Sequence, residues 1–207
     1  LYEAIKEQHI AYCTPPSSFG DAGQRVRLSD NVLSGKLGTC LDLSLLYASC
    51  AEAMGLHPLL VIIQGHAFVG CWLIDGTFPD AVNDDPSLLT KRTADGINEV
   101  ILLEATCMTD GNNVTFDTAV GLANDKMLAV NDFTCFIDVA RSRFAHILPL
   151  PQRVMHGKAW TVGPEVAQIP KSGLYISPVS APEEIKQYDL DNQDSYVEFT
   201  KQLLWER

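Results

Sequence analysis

Cys40 has the surroundings of a nucleophilic cysteine. It follows Gly38 and Thr39, and it precedes a segment up to Gly55 in which apolar residues recur at helical spacing. The pattern predicts a helix that begins at Cys40. At a helix N-terminus, the unsatisfied N–H groups and the positive end of the macrodipole favour a thiolate over a thiol. The preceding glycine allows close backbone approach, so the Cys40 N–H is itself a candidate donor to an oxyanion.

His66 is the predicted base for this thiol. It lies in Gly65-His66-Ala67-Phe68 and begins an apolar segment that follows another apolar segment, Leu59 to Gln64. Both segments have the length and composition of buried strands. A histidine at the start of such a strand can face the end of a helix packed on the sheet. We therefore expect His66 to accept the proton of Cys40.

Three acids are candidates for holding the imidazole of His66 in place. Asp75 ends the strand that His66 begins, about 30 Å away at about 3.3 Å per residue, so it needs the chain to double back. Glu104 lies in the apolar segment Val100 to Thr106, which is predicted to pair antiparallel with the strand of His66. A carboxylate in an apolar strand needs a partner. Glu104 is therefore the preferred acid, and Asp75 and Asp80 are the alternatives.

Gln24 is a candidate oxyanion donor. It ends a loop rich in Pro, Gly and Ser that runs from Thr14 to Gln24 ahead of Cys40. A side-chain amide can donate a hydrogen bond to an oxyanion. A loop glutamine is more commonly just solvated, and the sequence leaves both interpretations open.

Three motifs together resemble the transglutaminase-like fold of the papain-like cysteine peptidase superfamily. Gly38-Thr39-Cys40-Leu41-Asp42 is similar to its Gly-x-Cys-x-Asp motif, and Gly65-His66-Ala67-Phe68 to its His-Ala-Trp strand. Glu104-Ala105-Thr106 resembles its Asp-Pro-Thr strand, with Glu in place of Asp. The motifs cover about residues 20–110 in the family's order of Cys, His and acid. The long segment between the His and acid strands departs from the family, which usually has a short hairpin there.

A second resemblance covers nearly the whole chain. The motifs PPSSF, GQRVRL, GTCLDL, GHAFVGCWL, LLEAT, IDVARSR and LPLP look like the transglutaminase-like region near the front of very large bacterial helicase-like proteins of superfamily I type. This resemblance implies a module that works beside the other domains of the same larger polypeptide. Its final helix, Phe199 to Arg207, is similar to the segment that leads into the next domain of those proteins.

The fold predicted to position these residues is of the α+β class. We expect an antiparallel sheet of about four strands packed on the helix of Cys40, with flanking helices at residues 1–12 and 115–128. The polar segment Asp75 to Gly96 is predicted to be an insertion with a short helix near residues 87–93. The strands are predicted at residues 59–64, 66–74, 100–106 and 133–138.

Two regions follow from this pattern. Residues 1–151 are predicted to form a transglutaminase-like cysteine-histidine domain. Residues 152–207 are predicted to be an extended Pro-rich tail, with a short strand near residues 173–176, followed by a C-terminal helix from about Ser195 that leads toward a following domain.

Amino-acid composition limits the classes of partner expected for this segment. Hydrophobic residues make up 46% and charged residues 20%, which is typical of a globular chain with a core. The net charge of −11 argues against direct nucleic-acid binding. Apolar runs are too short for a membrane span, and the six cysteines lack CxxC spacing, which is typical of reduced thiols in a cytoplasmic protein. The histidines outside the motifs lack partners at metal-ligand spacing, so we expect no metal and no cofactor.

Two functions are consistent with these residues. The first is a cysteine hydrolase or acyltransferase that acts on a protein or peptide substrate through an acyl-thioester, with Cys40 as nucleophile, His66 as base and Glu104 as orienting acid. The resemblance favours a peptidase or amidase over a cross-linking transglutaminase, since cross-linking needs a dedicated amine site. The alternative is a catalytically silent binding or regulatory module of a larger helicase-like protein.

Overall fold

The computed structural model describes residues 1–14, 26–128, 132–150, 153–156 and 159–162. The chain divides into two compact units, Leu1–Leu148 and Pro149–Arg207. The first unit contains Cys40, His66 and Glu104. No helix in the part of the chain that the structure describes is long and apolar enough to cross a membrane.

The first unit is of mixed α+β class. Its helices, named in chain order, are α1 (Tyr2–Lys6), α2 (Ser29–Gly35), α3 (Cys40–Ala53), α4 (Ser87–Arg92), α5 (Phe116–Leu128) and α6 (Val139–Phe144), with a 3-10 helix at Ala105–Met108. Its strands are β1 (Ala11–Tyr12), β2 (Leu37–Gly38), β3 (Pro58–Ile63), β4 (His66–Trp72), β5 (Val82–Asn83), β6 (Val100–Leu103) and β7 (Phe133–Asp138).

One antiparallel sheet of five strands forms the centre of this unit, in the order β5-β7-β3-β4-β6. All four predicted strands are present in it. The fifth, β5, comes from the predicted insertion and extends the sheet at the β7 edge. The prediction of about four strands missed it because a strand of two residues leaves no alternating pattern to detect.

Two apolar clusters pack against the sheet. Leu60 and Val69 belong to one cluster, together with residues of α1 and α3. Their neighbours Val61 and Phe68 belong to the other. Since successive residues of a strand point to opposite faces, the clusters lie on opposite faces of the sheet. Helix α3 therefore covers one face, and α5 packs beside β6 and contributes to both clusters.

The insertion is packed on the sheet rather than standing free of it. Phe78 and Leu89 are fully buried in the second cluster, and Phe78 contacts the ring of Phe136. The buried carboxylate of Asp138 accepts hydrogen bonds from the Phe78 N–H at 2.8 Å and from Trp72 Nε1 at 3.3 Å. These contacts fasten the insertion to the ends of β4 and β7. The predicted short helix in the insertion is confirmed as α4.

The predicted helix over residues 1–12 is wrong beyond its first turn and a half. Helix α1 ends at Lys6, and His9 adopts a left-handed backbone with φ of 52°. The chain then forms β1, in which Tyr12 is paired with Gly38 in parallel register. The Ala11 N–H donates to Lys36 O at 2.9 Å. A pairing with a distant segment thus overrides the local helical pattern.

The second unit is described at residues 149–150, 153–156 and 159–162. The last two segments form an antiparallel pair, β8 (Arg153–His156) and β9 (Ala159–Val162). The sequence predicted an extended tail here and did not identify this strand pair. The strand predicted near residues 173–176 and the helix predicted from Ser195 lie outside the described residues.

Candidate active site

Cys40 is the first residue of α3, as its spacing predicts. Thr39 caps the helix: its side chain accepts a hydrogen bond from the Asp42 N–H at 3.2 Å, and the Asp42 carboxylate accepts one from the Thr39 N–H at 3.0 Å. This reciprocal capping box satisfies donors that a helix start otherwise leaves unpaired. It fixes the backbone on both sides of the thiol.

Asp42 also anchors the segment that precedes α2. Its carboxylate accepts hydrogen bonds from the Arg27 N–H at 2.8 Å and from the Arg27 guanidinium at 2.9 Å. Its side chain is fully buried. Asp42 therefore ties the start of α3 to the neighbouring loop, with Arg27 as its partner.

His66 is delivered by the tight hairpin between β3 and β4. Gln64 and Gly65 form the turn, and Gly65 has φ of +72°, a backbone conformation that a side chain disfavours. His66 is the first residue of β4, paired with Ile63. The N–H of the next residue, Ala67, helps to lower the pKa of the Cys40 thiol. The start of β4 thus meets the start of α3.

Glu104 is brought to His66 by the pairing of β6 with β4. Leu103 ends β6 opposite Val69, and Glu104 is the next residue, where it caps the 3-10 helix. The expectation that Glu104 lies within a strand is thus wrong by one residue. Thr106 donates to Oε1 through its N–H at 3.1 Å and its hydroxyl at 2.6 Å. Only 3% of the Glu104 side chain is exposed.

His66 and Glu104 form a short hydrogen bond. Nε2 of His66 donates to Oε2 of Glu104 at 2.7 Å. Since Nε2 is engaged, Nδ1 is the ring nitrogen left to interact with the thiol. Hydrogen bonding with Cys40 and then with Glu104 raises the pKa of His66 to about 9. Burial raises the pKa of Glu104, but hydrogen bonds from His66 and Thr106 outweigh it and lower that pKa to about 2.

The Cys40 thiol is the acid partner of this pair. Burial raises its pKa, but hydrogen bonds from His66 and from the N–H groups of Ala67 and Leu41 outweigh burial, so the pKa is lowered. Four other thiols behave in the opposite way, since burial raises the pKa of Cys50, Cys71, Cys107 and Cys135. With its pKa lowered and that of His66 raised, Cys40 is suited to exist as a thiolate beside an imidazolium.

Tyr12 is a site residue that the sequence reasoning missed. The β1–β2 pairing places it beside Gly38, two residues before Cys40. Its ring is 43% exposed, whereas Cys40 is 5% exposed. Burial, followed by the charge of Cys40 and a hydrogen bond with it, raises the pKa of Tyr12. Tyr12 is therefore a neighbour of Cys40 that is more exposed to solvent than the thiol.

The structure does not bring the alternative acids to His66. Asp75 and Asp80 are exposed residues of the insertion, and the Asp80 carbonyl accepts a hydrogen bond from Asn83 in β5. β5 lies at the opposite edge of the sheet from β6, which carries Glu104. The candidate donor Gln24 lies outside the described residues. Within the described part of the chain, no three His, Cys, Asp or Glu side chains group together to hold a metal ion.

Comparisons of the chain with protein-family models, with curated proteins and with solved structures found no match.

Proposed function

We propose that the chain is a cysteine-dependent acyl-transfer enzyme, a peptidase or amidase of transglutaminase-like type. The observation that carries the proposal is that Cys40 and His66 shift each other's pKa, while His66 forms a 2.7 Å hydrogen bond with Glu104. Each of the three residues has the electrostatic state that such chemistry needs: a thiol with a lowered pKa, an imidazole with a raised pKa and an ionised acid.

The reaction begins with the Cys40 thiolate attacking the acyl carbon of a peptide or amide. A C–S bond forms, and the carbonyl oxygen becomes an oxyanion. The imidazolium of His66 then donates its proton to the leaving nitrogen as the C–N bond breaks, which leaves an acyl-thioester. Water, or an amine, then attacks the thioester while His66 accepts its proton. A C–O or C–N bond forms, the C–S bond breaks, and the Cys40 thiolate is regenerated beside the imidazolium. Glu104 keeps Nε2–H engaged throughout, so that Nδ1 faces the reacting atoms.

Formation of the acyl-thioester is the direct test. The chain is mixed with p-nitrophenyl acetate as a generic acyl donor, quenched in acid, and analysed by intact-mass measurement and peptide mapping. We expect one acetyl group on Cys40 in the wild type and in Cys50→Ala, and none at this position in Cys40→Ala. Release of this acetyl group by neutral hydroxylamine would confirm that it is held as a thioester.

Acetyl groups spread over several of the six cysteines without preference for Cys40 would contradict the proposal. That outcome would instead favour the catalytically silent binding module.

Tyr12 is the proposed side-chain donor to the oxyanion. Removing one such donor typically lowers turnover by on the order of 100-fold or more. We expect Tyr12→Phe to slow acetylation of Cys40 by about this factor. Alkylation by iodoacetamide forms no oxyanion, so its rate at Cys40 should change by no more than a few-fold. Parallel loss of both reactions would show that Tyr12 acts on the thiolate instead.

A further inference from the structure

Glu104 has a second cationic neighbour besides His66. Lys126 Nζ lies 3.4 Å from Oε2 of Glu104, the same oxygen that accepts the hydrogen bond from His66 Nε2 at 2.7 Å. The other oxygen, Oε1, is occupied by Thr106. Two cations therefore share one oxygen of a buried carboxylate.

The packing of helix α5 places Lys126 close to Glu104. Lys126 lies in its last turn, and the Glu104 N–H donates to Ala119 O in its first turn, at 3.1 Å. Met127 of the same turn is buried against the sheet. The approach of Lys126 to Glu104 thus follows from the packing of a whole helix, not from the freedom of one long side chain.

The charges around His66 balance only when Lys126 is counted. The titratable groups that face His66 or its partners are Cys40 of α3, Glu104, Lys126 of α5, Tyr12 of β1 and Cys107 of the 3-10 helix, with Lys6 of α1 next to Cys107. Burial raises the pKa of Tyr12 and of Cys107, which favours their neutral forms. Among the groups that act directly on His66, a thiolate and a carboxylate then face an imidazolium and an ammonium, and these four formal charges cancel.

We propose that Lys126 is a positioning residue that shares Glu104 with His66 and thereby limits how strongly the imidazole holds its proton. The catalytic part of this inference rests on the proposed function. A nearby ammonium disfavours the imidazolium, and it weakens the pull of the carboxylate on the same ring. An imidazolium whose pKa is too high donates its proton slowly to a leaving group. A limited pKa of His66 therefore favours the step in which the C–N bond breaks.

Lys126 has a second consequence after the proton has left His66. The ring is then neutral, and Glu104 loses the charge of its nearest partner while it stays buried. An ammonium at 3.4 Å keeps the carboxylate ionised at that stage. Glu104 can then continue to accept the hydrogen bond from Nε2–H. This hydrogen bond fixes the tautomer in which Nδ1 carries no proton and can act as a base again.

The test is the titration of His66, followed by NMR of its imidazole in the whole chain. His66→Ala identifies its signals among the five histidines. In Lys126→Met we expect the pKa of His66 to rise by about 0.5–1 unit, the scale of one partly screened charge at short range. Lys126→Arg retains the charge and should stay close to the wild type. Lys91→Met removes the same charge from α4, outside the site, and is the matched control.

The same shift should appear in catalysis. The alkaline limb of the acetylation profile of Cys40 is expected to move upward with the His66 pKa in Lys126→Met and to be restored in Lys126→Arg. A His66 pKa that is unchanged in Lys126→Met, or that moves equally in Lys91→Met, would overturn the inference.

The two proposals fail separately. If Cys40 shows no selective acetylation, the proposed function fails, while the titration of His66 still reports on Lys126. If Cys40 is acetylated and the pKa of His66 does not respond to Lys126→Met, the function stands and the role of Lys126 falls.

Discussion

His66→Ala is expected to slow the alkylation of Cys40 near pH 7 by about tenfold or more. Hydrogen bonding and charge from His66 oppose the effect of burial on the thiol. Without them, burial prevails over the remaining N–H groups of Ala67 and Leu41, and the pKa of Cys40 rises. Each unit of this rise lowers the thiolate fraction about tenfold below the pKa. The measurement is the iodoacetamide rate at each cysteine, resolved by peptide mapping between pH 6 and 9.

His57→Ala is the matched control for this experiment. His57 precedes β3, where its Nδ1 contacts Gly76 O at 3.3 Å, and its loss should leave the alkylation rate of Cys40 unchanged. In the wild type, Cys40 should react faster near neutral pH than Cys50 and Cys135, whose pKa values burial raises. Equal rates at these three thiols, or an undiminished Cys40 rate in His66→Ala, would rule out the thiolate–imidazolium pair.

Asp42→Ala is expected to lower the free energy of unfolding by about 2–4 kcal/mol. The change removes the capping box of α3 and leaves the N–H groups of Thr39 and Arg27 without their acceptor. A lost N-cap partner costs about 1 kcal/mol, and each buried donor left unpaired costs about 1–3 kcal/mol. Urea denaturation followed by circular dichroism measures the difference. Asp42→Asn keeps an acceptor and should lose less.

The pH dependence of the Asp42 effect has a definite sign. Burial raises the pKa of Asp42, but hydrogen bonds from Arg27 and Thr39 lower it below its ordinary 3.8. A carboxyl whose pKa is depressed by folding stabilises the fold above its unfolded pKa, and this contribution is lost as the pH falls through the folded pKa. The gap between wild type and Asp42→Ala should therefore be full at pH 7 and shrink below about pH 4. Asp30→Ala, an exposed change in α2, should show neither effect.

The positions of Cys40, His66 and Glu104 could be predicted because each residue has a local sequence signal. Helical spacing after Cys40 fixes where α3 begins, and an apolar strand fixes the context of His66. Glu104 stands out as a carboxylate in an apolar run, which needs a partner when buried. The choice of Glu104 over Asp75 followed from strand geometry and from this need for a partner, and the structure places Glu104, not Asp75, at His66.

Tyr12 and Lys126, which the sequence analysis did not identify, have no such local sequence signal. Tyr12 reaches the site through a two-residue strand, and Lys126 through the packing of α5 against β6. Both contacts join segments far apart in the chain. A tyrosine in an apparent helix and a lysine in an amphipathic helix look ordinary in sequence, because their roles arise from tertiary pairing rather than from local pattern.

The strands that carry His66 and Tyr12 differ in how extensively they are hydrogen-bonded, and this difference affects the dynamics of the site. His66 stands on β4, which is hydrogen-bonded on both sides within the sheet, whereas Tyr12 stands on β1, which pairs with β2 over only two residues. Segments with few backbone hydrogen bonds open at lower free energy than the centre of a sheet. Amide hydrogens of β1 should therefore exchange with solvent far sooner than those of β4. His66 is thus held on the slowly exchanging framework. If the proposed function holds, adjustment to an incoming acyl group falls to the strand of Tyr12.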